Sequence, residues 1–351
     1  MSFPSHSERK KLIPLIGMTL SQLQGVVRDV GLPSFSAKQI AAWLYKRHVS
    51  SIDEMTDISK EGRKRLSENY EVGINPPAFS QESADGTKKY LFNVGNGNSI
   101  ESVYIPDKER ATLCISSQAG CRMNCRFCAT GRHGFRGNLT PAEIINQILS
   151  IPESGILTNI VFMGMGEPLD NIGPVIDVVE ILTSAWGMEW SPKRITVSTI
   201  GKLDNLSHLL DQTKVHVALS VHSPYTRERL SLMPVEKAFP VRKVVEKLSA
   251  YDFSKQRRCS IEYIMWKDVN DDMEHAEALA RLLQPIRGVR VNLIRFHAID
   301  DVKDLQPTTY EKMEQFRDYL NRKGITATIR ASRGEDIMAA CGMLAGRQYR
   351  N

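Results

Sequence analysis

The sequence predicts an α/β protein: a partial (β/α)6 barrel that follows a small N-terminal helical domain and a β-hairpin linker. From about residue 111 onward, apolar runs of strand length alternate with segments of helical periodicity. This alternation is typical of a parallel sheet covered by helices. Helical patterns also recur in residues 19–68, and residues 89–105 contain two β-rich runs around a Gly/Asn turn. With 351 residues, the chain is long enough for one such barrel and an accessory domain.

Three helices are predicted in the N-terminal domain. Thr19 and Ser36 each precede a glutamine by three residues, which is the capping-box pattern of a helix N-terminus. Gly31 is expected to end the first helix, and a third helix is predicted from about residue 59 to residue 68. Seven basic residues in the second and third helices are open to two interpretations, an RNA-facing surface or an ordinary solvated one: Lys38, Lys46, Arg47, Lys60, Arg63, Lys64 and Arg65.

The predicted hairpin joins residues 89–94 to residues 99–105 through a Gly-Asn-Gly-Asn turn. Strand alternation places Glu101 on the same face as Val103 and Ile105. A carboxylate on an apolar face is costly unless it is paired or functional. Two interpretations of Glu101 therefore remain open, a structural ion pair and a carboxyl group whose raised pKa suits proton handling.

The barrel is predicted from strand-like runs, the last of which is a candidate seventh strand. These runs are 112–116, 159–163, 194–198, 215–220, 260–265, 290–295 and 325–330. The clearest helix begins after Thr140, with Pro141 at its first position and Glu143 completing a capping box. About six βα units, fewer than the eight of a full barrel, predict an open barrel with its catalytic residues at the C-terminal ends of the strands.

The predicted boundaries are 1–86 for the helical domain, 87–106 for the hairpin linker, 107–332 for the barrel and 333–351 for a C-terminal tail. The net charge of +6 is compatible with a nucleic-acid partner but does not require one. Residues 5–11 are polar and charged where a signal peptide would be apolar, and no run approaches the ~18 apolar residues of a membrane span. These features predict a cytoplasmic protein without membrane attachment. In that compartment, metal ligands or catalytic thiols are the preferred interpretation of the cysteines, ahead of structural disulfides.

Three of the six cysteines lie within eight residues, as Cys121, Cys125 and Cys128. Their C-x3-C-x2-C spacing is the signature of radical S-adenosylmethionine (SAM) enzymes, in which three thiolates hold one 4Fe-4S cluster and leave one iron open for SAM. Structural zinc is the main alternative, but zinc usually needs four ligands, and His133 would have to complete the set. Cys259 is interpreted as a buried, inert thiol.

Glycine-rich or polar segments follow several predicted strands, at 164–168, 198–201 and 220–223, and Asn292 lies near the end of another. Each segment alone is a weak signal, because a glycine-rich turn is usually only a turn and a lone histidine is usually structural. Together with the cysteine loop they predict one site at the strand ends. Glycines there let a ligand approach the backbone closely, and Glu167 could accept hydrogen bonds from an ammonium group.

The chain resembles the RlmN/Cfr family of radical-SAM RNA methyltransferases, and it is most similar to the RlmN branch. The segments that carry the resemblance are 113–131, 162–170, 198–201, 219–224, 291–294 and 336–342. Two further cysteines separate this family from other radical-SAM enzymes: Cys114, seven residues before the cluster motif, and Cys341, in an Ala-Cys-Gly sequence. The chain departs from the family pattern at Arg295-Phe-His297, where many RlmN members have proline in place of Arg295.

The resemblance implies three sets of functional residues. The implied cluster ligands are Cys121, Cys125 and Cys128. The implied SAM-binding residues are Gly166, Glu167, Ser198, Ser220, Val221, His222 and Asn292. The implied catalytic residues are Cys341 as the thiol that becomes methylated, Cys114 as its partner thiol and Glu101 as the proton acceptor.

The resemblance also implies a reaction that uses two SAM molecules per turnover. One methylates Cys341, and the other yields a radical that removes a hydrogen atom from the S-methyl group of Cys341. The resulting methylene radical adds to C2 of an adenine. Glu101 or Cys114 then takes a proton, and a transient Cys114–Cys341 disulfide frees the base. The implied partners are 23S rRNA, naked or in an early assembly intermediate, tRNA in some members, and a one-electron donor such as flavodoxin. The target base must leave its stack to enter the barrel.

Two other functions stay open. A Cfr-type methylation at adenine C8 would use the same residues, so the motifs do not separate it from methylation at C2. A non-catalytic iron–sulfur protein that binds RNA or carries electrons is disfavoured by the intact set of SAM motifs. The arginines near the cluster motif are open to two interpretations, RNA contacts among the aromatic rings of Phe127 and Phe135 or solvated charge: Arg122, Arg126, Arg132 and Arg136.

Overall fold

The computed structural model describes residues 12–255, 257–299 and 302–346. The charged segment 5–11 lies outside the described residues, as does the end of the predicted tail after residue 346. Within the described ranges, the structure contains no helix that is both long enough and apolar enough to cross a membrane.

The N-terminal domain contains the three predicted helices and a short parallel strand pair. In chain order the elements are β1 (Ile13–Pro14), α1 (Leu20–Asp29), α2 (Ser36–Tyr45), α3 (Lys60–Ser67) and β2 (Tyr70–Glu71). The capping box at Thr19 is confirmed, but the one predicted at Ser36 is wrong. The chain already turns at Pro33, whose carbonyl accepts from the Ser36 N–H at 2.9 Å. Phe35 is therefore the N-cap residue, and Ser36 is buried in the first helical turn.

The predicted hairpin is three-stranded and continues directly into the barrel sheet. Its strands are β3 (Phe79–Glu82), β4 (Lys88–Val94) and β5 (Asn98–Asp107). The ten-residue β5 pairs antiparallel with β4 on one edge and with β6 (Arg110–Cys114), the first barrel strand, on the other. Val103 lies opposite Cys114 in this pairing. Glu101, two residues before Val103, therefore shares a sheet face with Cys114.

A separate two-stranded sheet closes the base of the loop that carries the three clustered cysteines. Strand β7 (Gln118–Gly120) pairs antiparallel with β8 (Phe135–Asn138), and the short helix α4 (Ala129–Arg132) lies between them. The Cys121 N–H also donates to the Gly134 carbonyl at 3.1 Å. The cysteine loop, defined here as residues 121–134, is thus anchored at both ends.

The barrel is an open parallel sheet in which strand order follows chain order. After β6 its strands are β9 (Asn159–Phe162), β10 (Ile195–Thr199), β11 (His216–Ser220), β12 (Cys259–Met265), β13 (Arg290–Arg295) and β14 (Thr326–Ile329). Its helices are α5 (Pro141–Leu149), α6 (Ile172–Thr183), α7 (Leu203–Gln212), α8 (Thr226–Leu232), α9 (Val241–Ser249), α10 (Met273–Leu283) and α11 (Tyr310–Arg322). All seven predicted strands are confirmed to within two residues at each end, as is the capping box at Thr140.

Side-chain alternation along these strands separates the core from the site. Val197, Leu219, Ile261 and Val291 are fully buried in the hydrophobic core. The next residue along each strand is polar, namely Ser198, Ser220, Glu262 and Asn292. Successive side chains of a strand point to opposite faces, so these polar groups lie on the other face of the sheet, inside the barrel.

Candidate active site at the C-terminal ends of the strands

Two adjoining cavities open at the C-terminal ends of the barrel strands. The cluster cavity, of about 150 Å³, contains the three clustered cysteines. The thiol cavity, of about 330 Å³, contains Cys114. Both cavities share one wall, made by Cys128, Met163, Gly164, Ile294, Arg330, Cys341 and Gly342. Cys341, the cysteine of the tail, therefore faces both cavities.

The cluster cavity brings together eight of the ten residues predicted to hold the cluster or SAM. They are Cys121, Cys125, Cys128, Gly166, Glu167, Ser198, Ser220 and His222. Val221 and Asn292 are described by the structure but are not among the lining residues. The eight residues come from five different strands or loops, so the site depends on the whole barrel.

The three clustered thiols fit a positively charged iron–sulfur centre. Burial raises the pKa of Cys121 to about 12 and that of Cys125 well above its ordinary value, and the neighbouring cysteines add to both effects. Burial also raises the pKa of Cys128. Thiols in this setting stay protonated unless a bound metal centre stabilises the thiolates.

Zinc fits the same residues less well than a cluster does. Among the described residues, no three His, Cys, Asp or Glu side chains are grouped closely enough to hold a single metal ion. His133, which a zinc site would need as a ligand, is exposed. In a 4Fe-4S cluster each thiolate binds a different iron atom, so the three sulfurs need not converge on one point.

Glu167, in the loop that follows β9, is fixed by hydrogen bonds to its carboxylate. The Thr199 hydroxyl donates at 2.6 Å, the Ile200 N–H at 3.0 Å and the Leu169 N–H at 3.0 Å. Burial raises its pKa to about 7, although the three hydrogen bonds oppose this rise. Next to it, Gly166 has a φ of 102°, and a Cβ there would lie 2.8 Å from the Gln118 backbone nitrogen. Only glycine fits this approach.

The raised pKa of Glu167 predicts a pH-dependent stability of the protein without its cofactors. A carboxyl group whose pKa is 4.5 in the unfolded chain and about 7 in the folded protein contributes its full stabilisation below about pH 4.5. This contribution, roughly 3 kcal/mol, is lost as the pH rises through about 7. Urea unfolding at pH 5 and pH 8 should therefore show a smaller loss of stability in Glu167→Gln than in the wild type. Equal losses in the two proteins would contradict the prediction.

His222 joins the cysteine loop to the barrel. Its Nδ1 accepts the Ile264 N–H at 3.0 Å, so the neutral ring carries its hydrogen on Nε2. Burial lowers its pKa to about 3, and the charge of Arg229 contributes. The ring packs edge-to-face against Phe127 of the cysteine loop, with 4.8 Å between centroids. At neutral pH His222 is therefore a fixed, uncharged hydrogen-bond donor.

Val221 directly follows β11 and is held by its backbone. Its side chain is fully buried in the core. The guanidinium of Arg229, itself fully buried and paired with Glu236, donates to the Val221 and Ser220 carbonyls at 3.1 Å each. Arg229 thus fixes the end of β11, where two of the predicted SAM-binding residues lie.

Asn292 belongs to a polar network across β12, β13 and β14. It donates to the Glu262 carboxylate at 2.8 Å and accepts from the Thr328 hydroxyl at 3.1 Å. The other oxygen of Glu262 lies 3.4 Å from the Arg330 guanidinium. Glu262 and Arg330 both line the cluster cavity, so Asn292 positions a carboxylate of the cavity lining.

Cys114 and Cys341 line the thiol cavity as free thiols. A standing Cys114–Cys341 disulfide is therefore not supported, and the transient one that the resemblance implies during the reaction stays a prediction. Pairing with Val103 and Val161 holds Cys114 in the sheet, whereas Cys341 is exposed on the tail. Burial raises the pKa of Cys114 to about 12; Cys341 adds to this rise, and Arg330 opposes it.

Glu101 lines neither cavity, although it lies within the described chain. Its Oε1 is 3.3 Å from Lys89 Nζ, and the two side chains are 2% and 3% exposed. Of the two interpretations open from the sequence, the structure therefore shows the ion pair. The other oxygen of Glu101 contacts the C-terminal tail.

Several of the predicted RNA-facing cations are engaged within the protein. In the cysteine loop, Arg122 stacks 3.9 Å above the Phe135 ring, and Arg126 pairs with Asp304. In the N-terminal domain, Arg63 donates to two backbone carbonyls and Arg65 to one. For these four residues the charge has a structural role, whereas Lys60 and Lys64 line a shallow surface depression on α3.

The loop that departs from the family pattern lies beside the thiol cavity. His297 lines this cavity, and its Nε2 is 2.9 Å from the Ser332 hydroxyl. Arg295 lies above the Tyr310 ring at 5.7 Å. The loop therefore helps to position the chain that follows β14.

Four residues of the site were missed in the sequence: Thr199, Arg229, Glu262 and Arg330. Thr199 lies inside the segment 198–201, in which only Ser198 is predicted to bind SAM. Glu262 carried the same signal as Glu101, a carboxylate within an apolar strand, and Arg330 stood at the end of the last strand. No local signal distinguished Arg229 from the other basic residues around α8.

The barrel, the cysteine loop and the cluster cavity define a radical-SAM enzyme. The family model described as "Radical SAM superfamily" matches residues 115–282. The model described as "Ribosomal RNA large subunit methyltransferase N-terminal domain" matches residues 13–72. A solved radical SAM methyltransferase from Sphaerobacter thermophilus superposes with a TM-score of 0.88 at 35% identity, covering 95% of this chain and 100% of that one.

Curated relatives identify the family. The "Probable dual-specificity RNA methyltransferase RlmN" of Parabacteroides distasonis is 58% identical over 94% of this chain and 96% of its own length. The "Dual-specificity RNA methyltransferase RlmN" of Halorhodospira halophila is 43% identical over 97% of this chain and 96% of its own length. The chain belongs to the RlmN family of radical-SAM RNA methyltransferases. It is a SAM-dependent methyltransferase that uses a 4Fe-4S cluster and SAM.

Proposed function

We propose that the protein methylates C2 of an adenine in 23S rRNA and of an adenine in tRNA, in the cytoplasm, with Cys341 as the methyl carrier. The observation that carries the proposal is the position of Cys341 on the wall between the two cavities. A group on its sulfur can face the cluster cavity, where SAM binds, and the thiol cavity, where a base can enter. The relatives named as dual-specificity RNA methyltransferases support both kinds of RNA as substrates.

The residues of the cluster cavity hold and orient the cofactors. Cys121, Cys125 and Cys128 would bind the cluster, which together with SAM supplies a carbon-centred radical by one-electron cleavage. Glu167 would bind the ammonium group of SAM, an interaction that favours its charged form. His222 would donate a hydrogen bond from Nε2 at neutral pH, where its ring is uncharged. An external one-electron donor such as flavodoxin would reduce the cluster.

Cys341 performs the transfer in two stages. Its thiolate first attacks the methyl carbon of one SAM molecule, so that an S–CH3 bond forms as S-adenosylhomocysteine leaves. After a hydrogen atom is removed from that methyl group, its carbon adds to C2 of the adenine, so each turnover uses two SAM molecules. This route suits C2, because an electrophilic aromatic carbon with no acidic hydrogen does not attack SAM directly. Glu101 and Cys114 are the candidate acceptors of the C2 proton. Cys114 would then attack the sulfur of Cys341, so that a transient disulfide forms as the bond from that sulfur to the new methyl carbon breaks and the carbon takes a proton.

The thiol cavity supports recognition of a flipped base and its phosphates. Arg110, Arg330 and Arg333 line it, and guanidinium groups both pair with phosphates and stack on bases. Arg333 lies 3.6 Å from Asp107 at the same wall. A base extruded from RNA would enter here and reach Cys341.

The deciding experiment is anaerobic reconstitution followed by methylation of a 23S rRNA fragment and of tRNA with trideuteromethyl-labelled SAM. We expect labelled 2-methyladenosine after digestion, detected by mass spectrometry, and 5′-deoxyadenosine as the co-product. An RNA with guanine at the target position serves as the control and should stay unlabelled. Labelled 8-methyladenosine would instead establish the Cfr-type activity, and the absence of 5′-deoxyadenosine would favour the non-catalytic iron–sulfur protein.

A further inference from the structure

The C-terminal tail docks onto the hairpin through one buried carboxylate. Oε2 of Glu101 accepts the N–H groups of Ala345 at 2.7 Å and of Gly346 at 3.0 Å. Two successive backbone N–H groups directed at one oxygen form a small anion-binding site, and hydrogen bonds to an ionised acceptor are stronger than neutral ones. Gly346 has a φ of 61°, and a Cβ there would lie 2.6 Å from the Ser99 carbonyl oxygen. The tail therefore needs glycine at this position to reach Glu101.

Lys89 completes the docking point. It lies on β4 diagonally across from Glu101 on β5, because Leu91 is the direct partner of Glu101 and Lys89 is two residues before Leu91. Long side chains in diagonal positions are within reach of each other. Lys89 Nζ contacts Oε1, while the tail occupies Oε2. Each oxygen of this buried carboxylate thus has its own partner, and the two charges offset each other.

The same tail is also attached to the cysteine loop. The Ala129 N–H donates to the Gly342 carbonyl at 2.7 Å, and the Thr130 hydroxyl donates to the Leu344 carbonyl at 2.6 Å. Ala129 and Thr130 directly follow the predicted cluster ligand Cys128. Residues 342–346, which directly follow Cys341, are therefore bound on one side to the loop that holds the cluster and on the other to the hairpin.

We propose that Glu101 and Lys89 are positioning residues that anchor residues 342–346 and thereby place Cys341 on the wall between the two cavities. The proposal rests on the methyl-carrier role of Cys341 proposed above. When the tail is docked, the carboxylate of Glu101 has three partners and lies outside both cavities. In this state Glu101 holds the tail. Anchoring requires only a hydrogen-bond acceptor at this position, whereas proton removal from the substrate requires an ionisable group.

This difference defines the test. We expect Glu101→Ala to increase hydrogen–deuterium exchange at the amides of 345 and 346 by about tenfold or more, since two charge-assisted hydrogen bonds are lost. Methylation of Cys341 in the absence of RNA, measured by mass spectrometry, should slow by a similar factor at unchanged iron content. That half-reaction involves no proton on C2, so a residue that acted only as the substrate's base would leave it unaffected.

The conservative variant is the double substitution Lys89→Met with Glu101→Gln. It removes both charges together, and the amide oxygen of glutamine can still accept the two tail N–H groups. We expect exchange of the tail and methylation of Cys341 to stay within about threefold of wild type. Glu82→Ala is the matched control, because Glu82 is an exposed carboxylate of the same sheet that pairs with Lys88 at 3.5 Å. It should change neither readout.

Two outcomes would overturn the proposal. One is Glu101→Ala with wild-type tail exchange and wild-type methylation of Cys341 but no RNA product, which would make Glu101 a substrate base alone. The other applies if Glu101→Ala does not fold. Gly346→Ala then blocks docking of the tail and leaves the ion pair in place. Wild-type hydrogen–deuterium exchange and wild-type methylation of Cys341 in that variant would overturn the proposal. If Cys341 of the wild type is never methylated, the proposed function is wrong. Hydrogen–deuterium exchange at residues 345 and 346 still tests whether Glu101 anchors the tail.

Discussion

Replacement of Cys341 by alanine is expected to abolish methyl transfer to RNA, by at least about a thousandfold, without loss of the cluster. The thiol is the proposed attachment point of the methyl group, so the variant has no covalent carrier at the wall between the two cavities. Cys341 is exposed on the tail and is not one of the clustered cysteines, so iron binding should be unaffected. The measurement is labelled methyl incorporation into 23S rRNA and tRNA, together with iron content and 5′-deoxyadenosine formation.

Cys114→Ala is the matched control for this prediction, because it removes the other thiol of the same cavity. We expect this variant still to carry a methyl group on Cys341, since displacement from SAM needs only that thiol. Its RNA should remain attached to Cys341, and a denaturing gel should show the conjugate. Normal yields of free, methylated RNA from either variant would refute the assigned roles.

Replacement of Cys125 by alanine is expected to eliminate the 4Fe-4S cluster and all radical chemistry. Two thiolates leave a second iron without a protein ligand, and the variant should retain little iron after anaerobic reconstitution. Formation of 5′-deoxyadenosine should fall to the background rate. Iron and sulfide analysis with electron paramagnetic resonance of the reduced protein checks the first expectation, and chromatography of the SAM products checks the second.

Cys259→Ala provides the control for removal of a cysteine as such. Cys259 is fully buried in β12, and burial raises its pKa to about 12, as expected for an inert thiol. This variant should bind a full complement of iron and cleave SAM normally. If Cys125→Ala did the same, another residue would have to be the third cluster ligand.

Features that depend on neighbouring residues in the chain could be predicted from the sequence. The spacing of Cys121, Cys125 and Cys128 specifies a shared centre because all three lie in one short loop. The capping boxes at Thr19 and Thr140 involve residues three positions apart. The seven barrel strands follow from apolar runs whose length suits a buried parallel sheet. The incorrect capping box at Ser36 has the same local origin, because the turn that begins at Pro33 competes with it.

The family resemblance supplied roles but not the arrangement that supports them. It implied a role for Glu101 in the reaction, and only the structure shows that Glu101 pairs with Lys89 and with the tail. It implied a transient Cys114–Cys341 disulfide, and the structure shows both cysteines as free thiols that line one cavity. It implied that Asn292 binds SAM, and the structure adds that Asn292 donates to Glu262, which lines the cluster cavity.

By itself, the sequence determined the fold class, the three-cysteine motif and several of the strand-end segments that line the cluster cavity. Each depends on local spacing or on the rule that parallel strands end at the same edge of a sheet. The tertiary structure alone decided where Cys341 lies. Glu101 and Ala345 are 244 positions apart, and Thr130 and Leu344 are 214 apart. Hydrogen bonds over such separations leave no periodicity in the sequence, because they form only after the barrel has brought the hairpin, the cysteine loop and the tail together.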